Sequence, residues 1–286
     1  MPNISAELRQ LIRESKSLPT LHGVISKLSV LEANPKASSQ EIAHLIASDQ
    51  ILSLKVLRLV NSPFYGFSRR VSTVSNALIL LGISVIKSLL ISTSIFEMME
   101  KTLIGLWEHS MATAVAANLI ATRLELSDKE EISTAALLHD VGKVVIKIHL
   151  KDDYERLMAS CGEKKQFSFE AERELLGVDH AEVGKWLVES WLLPDKLIEP
   201  IACHHDVEKS TTHRIRTAVV HFADILIKAR GFGNASDLVP QLHPLAASAL
   251  RLDTMDLDAL LADLDDRLIE VKNFSLDIQE QQADDD

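Results

Sequence analysis

Apolar residues return at helical spacing along nearly the whole chain, and convincing strand alternation is absent. This periodicity predicts an all-α protein, because a face repeating every three to four residues buries on a helix and not on a strand. Ile4, Leu8, Leu11 and Ile12 share one helical face, and Val24, Ile25, Leu28 and Leu31 share another. Leu52, Val56, Leu57 and Val60 form a helix that opens at Asp49 and stops at Asn61-Ser62-Pro63. Further helices are expected around 75–81 and 84–99, joined at Leu81-Gly82. The chain has 286 residues, 47% of them hydrophobic, enough to bury a sizeable core. Two packed helical lobes are expected: residues 1–100, then 101–232, with a C-terminal helix and acidic tail over 233–286. No apolar run is long enough to cross a bilayer, since charged or polar residues interrupt each candidate. The first residues lack the basic start and apolar stretch of a signal peptide. Two cysteines, Cys161 and Cys203, do not make a disulfide framework. Together these point to a cytoplasmic protein. A net charge of −11 argues against broad binding to nucleic acid.

One stretch carries visible chemistry. The apolar run Ala136-Leu137-Leu138 ends in His139-Asp140, then Val141-Gly142-Lys143. Adjacent His and Asp offer a neutral nitrogen and a carboxylate from one short piece of backbone, a pair suited to Mn, Fe, Co, Ni or Zn. The two oxygens of Asp140 allow it to bridge two ions. Gly142 permits a helix end or tight turn. Around this pair, His109, His180, His204-His205 and Asp224 fall on separate expected helices or their ends. Helices of a bundle can point such residues at one centre. Ser127 with Glu130 and Asp179 with Glu182 read as capping boxes, the second placing His180 in the first turn of a helix. Pro194 starts the helix that ends at Cys203-His204-His205, where the dipole alone could explain the two histidines. A final amphipathic helix is expected over about Asp256–Val271, and Gln279–Asp286 is expected to be disordered.

Two resemblances follow from these residues. Leu18-Pro19, Asp49, the Leu-Arg-Leu-Val-Asn-Ser run of 57–62, Tyr65-Gly66 and Ala77 to Gly82 resemble the N-terminal lobe of the HDOD family, HD-related output domains of bacterial signalling. The likeness covers roughly Leu18 to Thr93. From Trp107 to Asp224 the chain resembles the HD superfamily of metal-dependent phosphohydrolases. His109, His139, Asp140 and Asp224 match its four core positions. His180, His204 and His205 match the additional ligands of a two-metal subset that includes the HD-GYP phosphodiesterases. Where HD-GYP proteins continue with Asp-Gly-x-Gly-Tyr-Pro, this chain has Asp206-Val207-Glu208-Lys209-Ser210, which argues against cyclic-di-GMP cleavage. Gly105 stands at the position of a third-metal ligand, so two ions are expected.

The resemblance implies two divalent ions (Fe, Mn, Ni or Zn) bridged by Asp140. One would take His109, His139 and Asp224, and the other His180, His204 and His205. Water between them, its pKa lowered, would attack phosphorus. Lys143 is either a contact to a phosphate oxygen or a solvated lysine at a helix end. The substrate would be a phosphorylated small molecule or nucleotide. The alternative is a signalling module without turnover, its metal site structural or ligand-binding and its surface turned to a protein partner. The loop Phe64-Tyr65-Gly66-Phe67 is expected either as an exposed contact surface or as an aromatic plug between lobes.

Overall fold

The computed structural model describes residues 4–14, 43, 46–47, 50–63, 65, 67, 70–83, 85–86, 88–89, 103, 105–232 and 238–283. Expectations at Leu18-Pro19, 24–41, Asp49, Phe64 and Gly66, and the lobe boundary near Lys101, lie outside them. So does most of the helix expected over 84–99. Among the described residues there is no strand, and the protein is all-α. None of their helices is long and apolar enough to cross a membrane.

The elements are α1 (Ile4–Glu14), α2 (Gln50–Val60), α3 (Leu106–Arg123), α4 (Lys129–Leu138), α5 (Val141–His149) and α6 (Lys151–Lys164). They continue as α7 (Ser168–Leu176), α8 (His180–Ser190), α9 (Asp195–Cys203), α10 (Arg214–Ala229), α11 (Pro244–Ala249) and α12 (Leu257–Ala283). Residues 74–83 form a further helical run. The centre of the bundle is α3. Ala112, Ala114, Ala116 and Ala117 are all buried. Such small side chains let α4, α10 and α12 approach the helix from different sides. In α1, Leu8 and Ile12 are buried while Leu11 is exposed, so the apolar face is narrower than its spacing suggests. This helix packs on α8, with the Arg9 guanidinium 5.4 Å above the Trp186 ring.

Two boundaries differ from expectation. Helix α4 begins at Lys129 with Asp128, not Ser127, at its cap position, and no side chain caps it. Asp128 is instead engaged by Arg216, so its carboxylate serves a tertiary ion pair. The last helix runs on through Ala283, so Gln279–Ala283 is helical and not disordered. Its inner stripe of Leu260, Leu264, Leu268 and Val271 continues to Ser275, all buried. Each apolar member contributes roughly 1.5–3 kcal/mol of burial. Of the two readings of the aromatic loop, exposed surface or plug, Tyr65 sides with burial: its side chain is covered, with the hydroxyl next to Thr134 of α4.

Gly142 has a different reason from the one the sequence suggests. It lies inside the first turn of α5, and its φ is not among the positive ones. A Cβ there would stand 2.0 Å from the His180 carbonyl oxygen and 2.8 Å from the Gly184 nitrogen. Helices α5 and α8 therefore meet backbone to backbone, and only glycine fits. Gly142→Ala is expected to cost about 1–3 kcal/mol or more by overpacking. Gly162→Ala, in α6 with open space around it, is expected to gain about 0.5–1 kcal/mol. Urea unfolding of both variants checks the contrast.

Candidate metal centre

His139 and Asp140 occupy the corner between α4 and α5, where the chain leaves one helix and at once enters the next. The corner drives both side chains into the bundle, and each is fully buried. His109 comes from the first turn of α3, and Asp224 from the middle of α10, which packs against it. His180 opens α8, capped as expected by Asp179, whose carboxylate accepts the Glu182 amide at 2.9 Å. His204 caps the C-terminus of α9, and His205 follows. All seven residues singled out as ligands from the sequence meet in one place.

They meet as two adjoining groups. Ligand atoms of Asp140, His180, His204 and His205 lie within 4.8 Å of one another, as do those of His109, His139 and Asp224. Asp140 faces both groups. Its Oδ2 lies 3.4 Å from His139 Nε2 and 3.8 Å from His109 Nε2. Its Oδ1 lies 3.0 Å from His180 Nε2 and 3.8 Å from His204 Nε2. In the first group, His109 Nε2 is 3.0 Å and His139 Nε2 3.6 Å from Asp224 Oδ1. In the second, the Nε2 atoms of His180 and His205 are 2.9 Å apart.

The imidazoles are aimed from behind. His139 Nδ1 meets the Ala136 carbonyl at 2.6 Å, and His204 Nδ1 meets the Ile201 carbonyl at 2.8 Å. A carbonyl only accepts, so each Nδ1 carries the proton and each Nε2 turns a lone pair inward. Among the described residues, His139 Nε2, His204 Nε2 and Asp140 Oδ1 make no hydrogen bond of acceptable geometry, although all three are buried. Buried acceptors without donors are costly. A cation is the group that satisfies all three at once, and five imidazoles beside two carboxylates form a nitrogen–oxygen donor set suited to borderline divalent ions. The residues fit a metal.

Electrostatics agree. Burial pushes the Asp140 carboxyl up, but His139, Lys143 and His180 outweigh it and hold it well below the usual carboxylate range. Burial likewise opposes ionisation of Asp224, and Lys228, His109 and His139 overcome it. Burial and neighbouring imidazoles push His204 and His205 well below the usual histidine range, keeping them neutral. His180 runs the other way: burial lowers it, but the Glu172 carboxylate prevails and brings it to about 9. Loading an ion there at neutral pH displaces that proton.

Sequence reasoning missed several supporting residues. Glu172 of α7 is almost fully buried and accepts from both the His180 amide and its Nδ1, each at 2.6 Å. It belongs to no motif and only the fold brings it in. Lys228 donates to Asp224 Oδ2 at 2.8 Å. Its place four residues after Asp224, on the same helical face, was a readable signal. Lys143 is buried, not solvated, and donates to Asp140 Oδ2 at 2.8 Å. Phe169 stacks on His205 with ring centroids 4.3 Å apart. Arg173 joins Asp179 at 2.6 Å to Asp206 at 2.7 Å, bracing the start of α8 against the turn after His205. His221 is structural, its Nδ1 2.7 Å from the His204 carbonyl. Cys203 is half-buried, its thiol pushed up to about 11 by burial, and takes no part in either group.

The HDOD domain family matches residues 18–207. That span joins both segments whose likeness the sequence showed separately, and it ends before Asp224. The crystal structure of an HDOD domain protein of unknown function from Geobacter sulfurreducens is similar at 27% identity and a TM-score of 0.72, over 95% of this chain and 96% of that one. A Shewanella amazonensis protein, named a candidate phosphohydrolase, shares the fold at 22% identity and a TM-score of 0.67, over 94% and 98% of the two chains. An uncharacterized protein of Treponema pallidum is 25% identical over 218 residues, 74% of this chain and 42% of that protein. The chain spans less than half the length of the curated relatives it matches. With most of its length inside one family's match, the chain belongs to the HDOD domain family.

Proposed function

We propose that this chain is a signal-transduction HDOD protein whose bundle hydrolyses a phosphoester with the help of two divalent ions. The observation that carries the reading is Asp140, which turns one oxygen to each of two ligand groups while buried acceptors around it lack donors. His109, His139 and Asp224 would hold one ion, and His180, His204 and His205 the other, with Asp140 shared. Divalent ions bound there lower the pKa of water and offset charge on phosphoryl oxygens. The chain's own groups do the rest. The Lys143 and Lys228 ammoniums, each 2.8 Å from a site carboxylate, provide cations that can turn to a phosphate once metal takes over the carboxylates. Glu172 holds the His180 ring in place.

A second reading has its own support. The cleft that reaches the site is only about 30 Å³, room for about two waters. His109, Asp140, Lys143 and Lys228 line it together with Leu106, Tyr154 and Met158. A phosphoester enters only if that wall opens. A permanently closed site would hold metal as a structural or signalling element without turnover.

Metal analysis of the purified protein, paired with a screen of generic phosphoesters and nucleotides with and without added Mn, separates the two. Turnover abolished by Asp140→Ala supports the enzyme, whereas full metal with no turnover supports the second reading. Asp140→Ala is expected to lose both ions, since both share it, and a full complement in that variant would refute the bridge. Glu172→Ala is expected to weaken metal affinity about 10–100-fold, as loss of a ligand-orienting partner does, and titration calorimetry reads this. Lys143→Ala is expected to keep its metal while kcat falls about a hundredfold, the scale of one lost charge-stabilising donor.

A further inference from the structure

A second cavity lies apart from the metal ligands and shares no lining residue with their cleft. It measures about 970 Å³ and opens between α2, residues 61–63, 67 and 70–72, and α12. That is the upper part of the range for small-molecule sites, about 300–1,000 Å³. Among the described residues, three guanidiniums line it, from Arg58, Arg70 and Arg267, against one carboxylate, Glu270, which pairs with Arg267 at 3.2 Å. In a chain of net charge −11 this is a local excess of positive charge. Two phenyl rings border it as well, Phe67 and Phe274. The Arg58 guanidinium stands 5.9 Å over the Phe274 ring.

One wall is built to keep its shape. The Asn61 amide donates to the Leu57 carbonyl at 2.7 Å and the Val71 carbonyl at 2.8 Å, and its oxygen accepts from the Val71 amide at 2.7 Å. These bonds fasten the end of α2 to the far end of the loop. Arg58 and Asn61 both come from the Leu-Arg-Leu-Val-Asn-Ser run, which the metal chemistry leaves unused. Guanidiniums bind phosphate bidentately, and aromatic rings stack on flat bases.

We propose that this cleft binds a nucleotide, with the phosphate on Arg58, Arg70 and Arg267 and the base against Phe67 and Phe274. The concave volume and the two lining rings favour a small ligand with a flat ring over an extended acidic peptide.

Titration calorimetry on the full chain tests this, using AMP, GMP, ATP and GTP as probes and inorganic phosphate and pyrophosphate as comparators. At least one nucleotide is expected to bind, with affinity falling at least tenfold in Arg70→Glu and in Arg267→Glu. Arg70 is exposed and Arg267 partly so, so both variants are expected to keep the wild-type melting temperature. Asp140→Ala is expected to bind the nucleotide as tightly as the parent chain, which separates this cleft from the metal centre. Absence of nucleotide binding at millimolar concentration overturns the proposal. So does binding that survives both charge reversals, or that disappears in Asp140→Ala. Phosphate or pyrophosphate binding as tightly as the best nucleotide overturns the role of the rings.

Discussion

Two carboxylates buried in the middle of an apolar bundle set the terms for the rest of this structure. Moving an ion from water into a protein interior costs several kcal/mol even after relaxation. Asp140 and Asp224 remain ionised all the same, because cationic and hydrogen-bonding groups converge on them from α3, α4, α5, α8 and α10. Removing any one partner leaves a charge stranded. The helices are therefore held to one arrangement by electrostatics as well as by packing. The alanine-rich α3 and the glycine contact between α5 and α8 supply the closeness this arrangement needs.

Much of this was legible in the sequence. Helical spacing predicted the fold class, and seven candidate ligands spread over more than a hundred residues come together in the structure. Pattern works here because each ligand sits at a helix end or on a helix face, where backbone geometry fixes direction. What escaped detection depends on tertiary contact. Glu172 is eight residues from His180 and follows no periodic rule. The need for glycine at 142 exists only because α8 passes against it. The last helix outran its expected end because one buried serine, Ser275, and a phenylalanine continue a stripe that polar neighbours disguise.

That same helix connects the two cavities. Phe274 borders the arginine-lined cleft, and the next residue, Ser275, donates to Glu108 at 3.0 Å. Glu108 is the immediate neighbour of His109. Arg123 and Arg230 clasp Asp263 and Asp265 farther back along the helix, at 2.7 and 2.8 Å. The last helix thus touches both α2 and the residue next to His109.

The depth of the ligand set has a consequence in time. His139, Asp140, His180 and His204 expose none of their surface, and the cleft beside them admits little more than water. An ion held in such a place would leave only when the helices part, so local unfolding would govern its exit. Exchange with the surrounding pool is then slow. Under the proposed reading, the metal a given molecule carries would be decided by what was available as the bundle closed, and its content would record the conditions of its own folding.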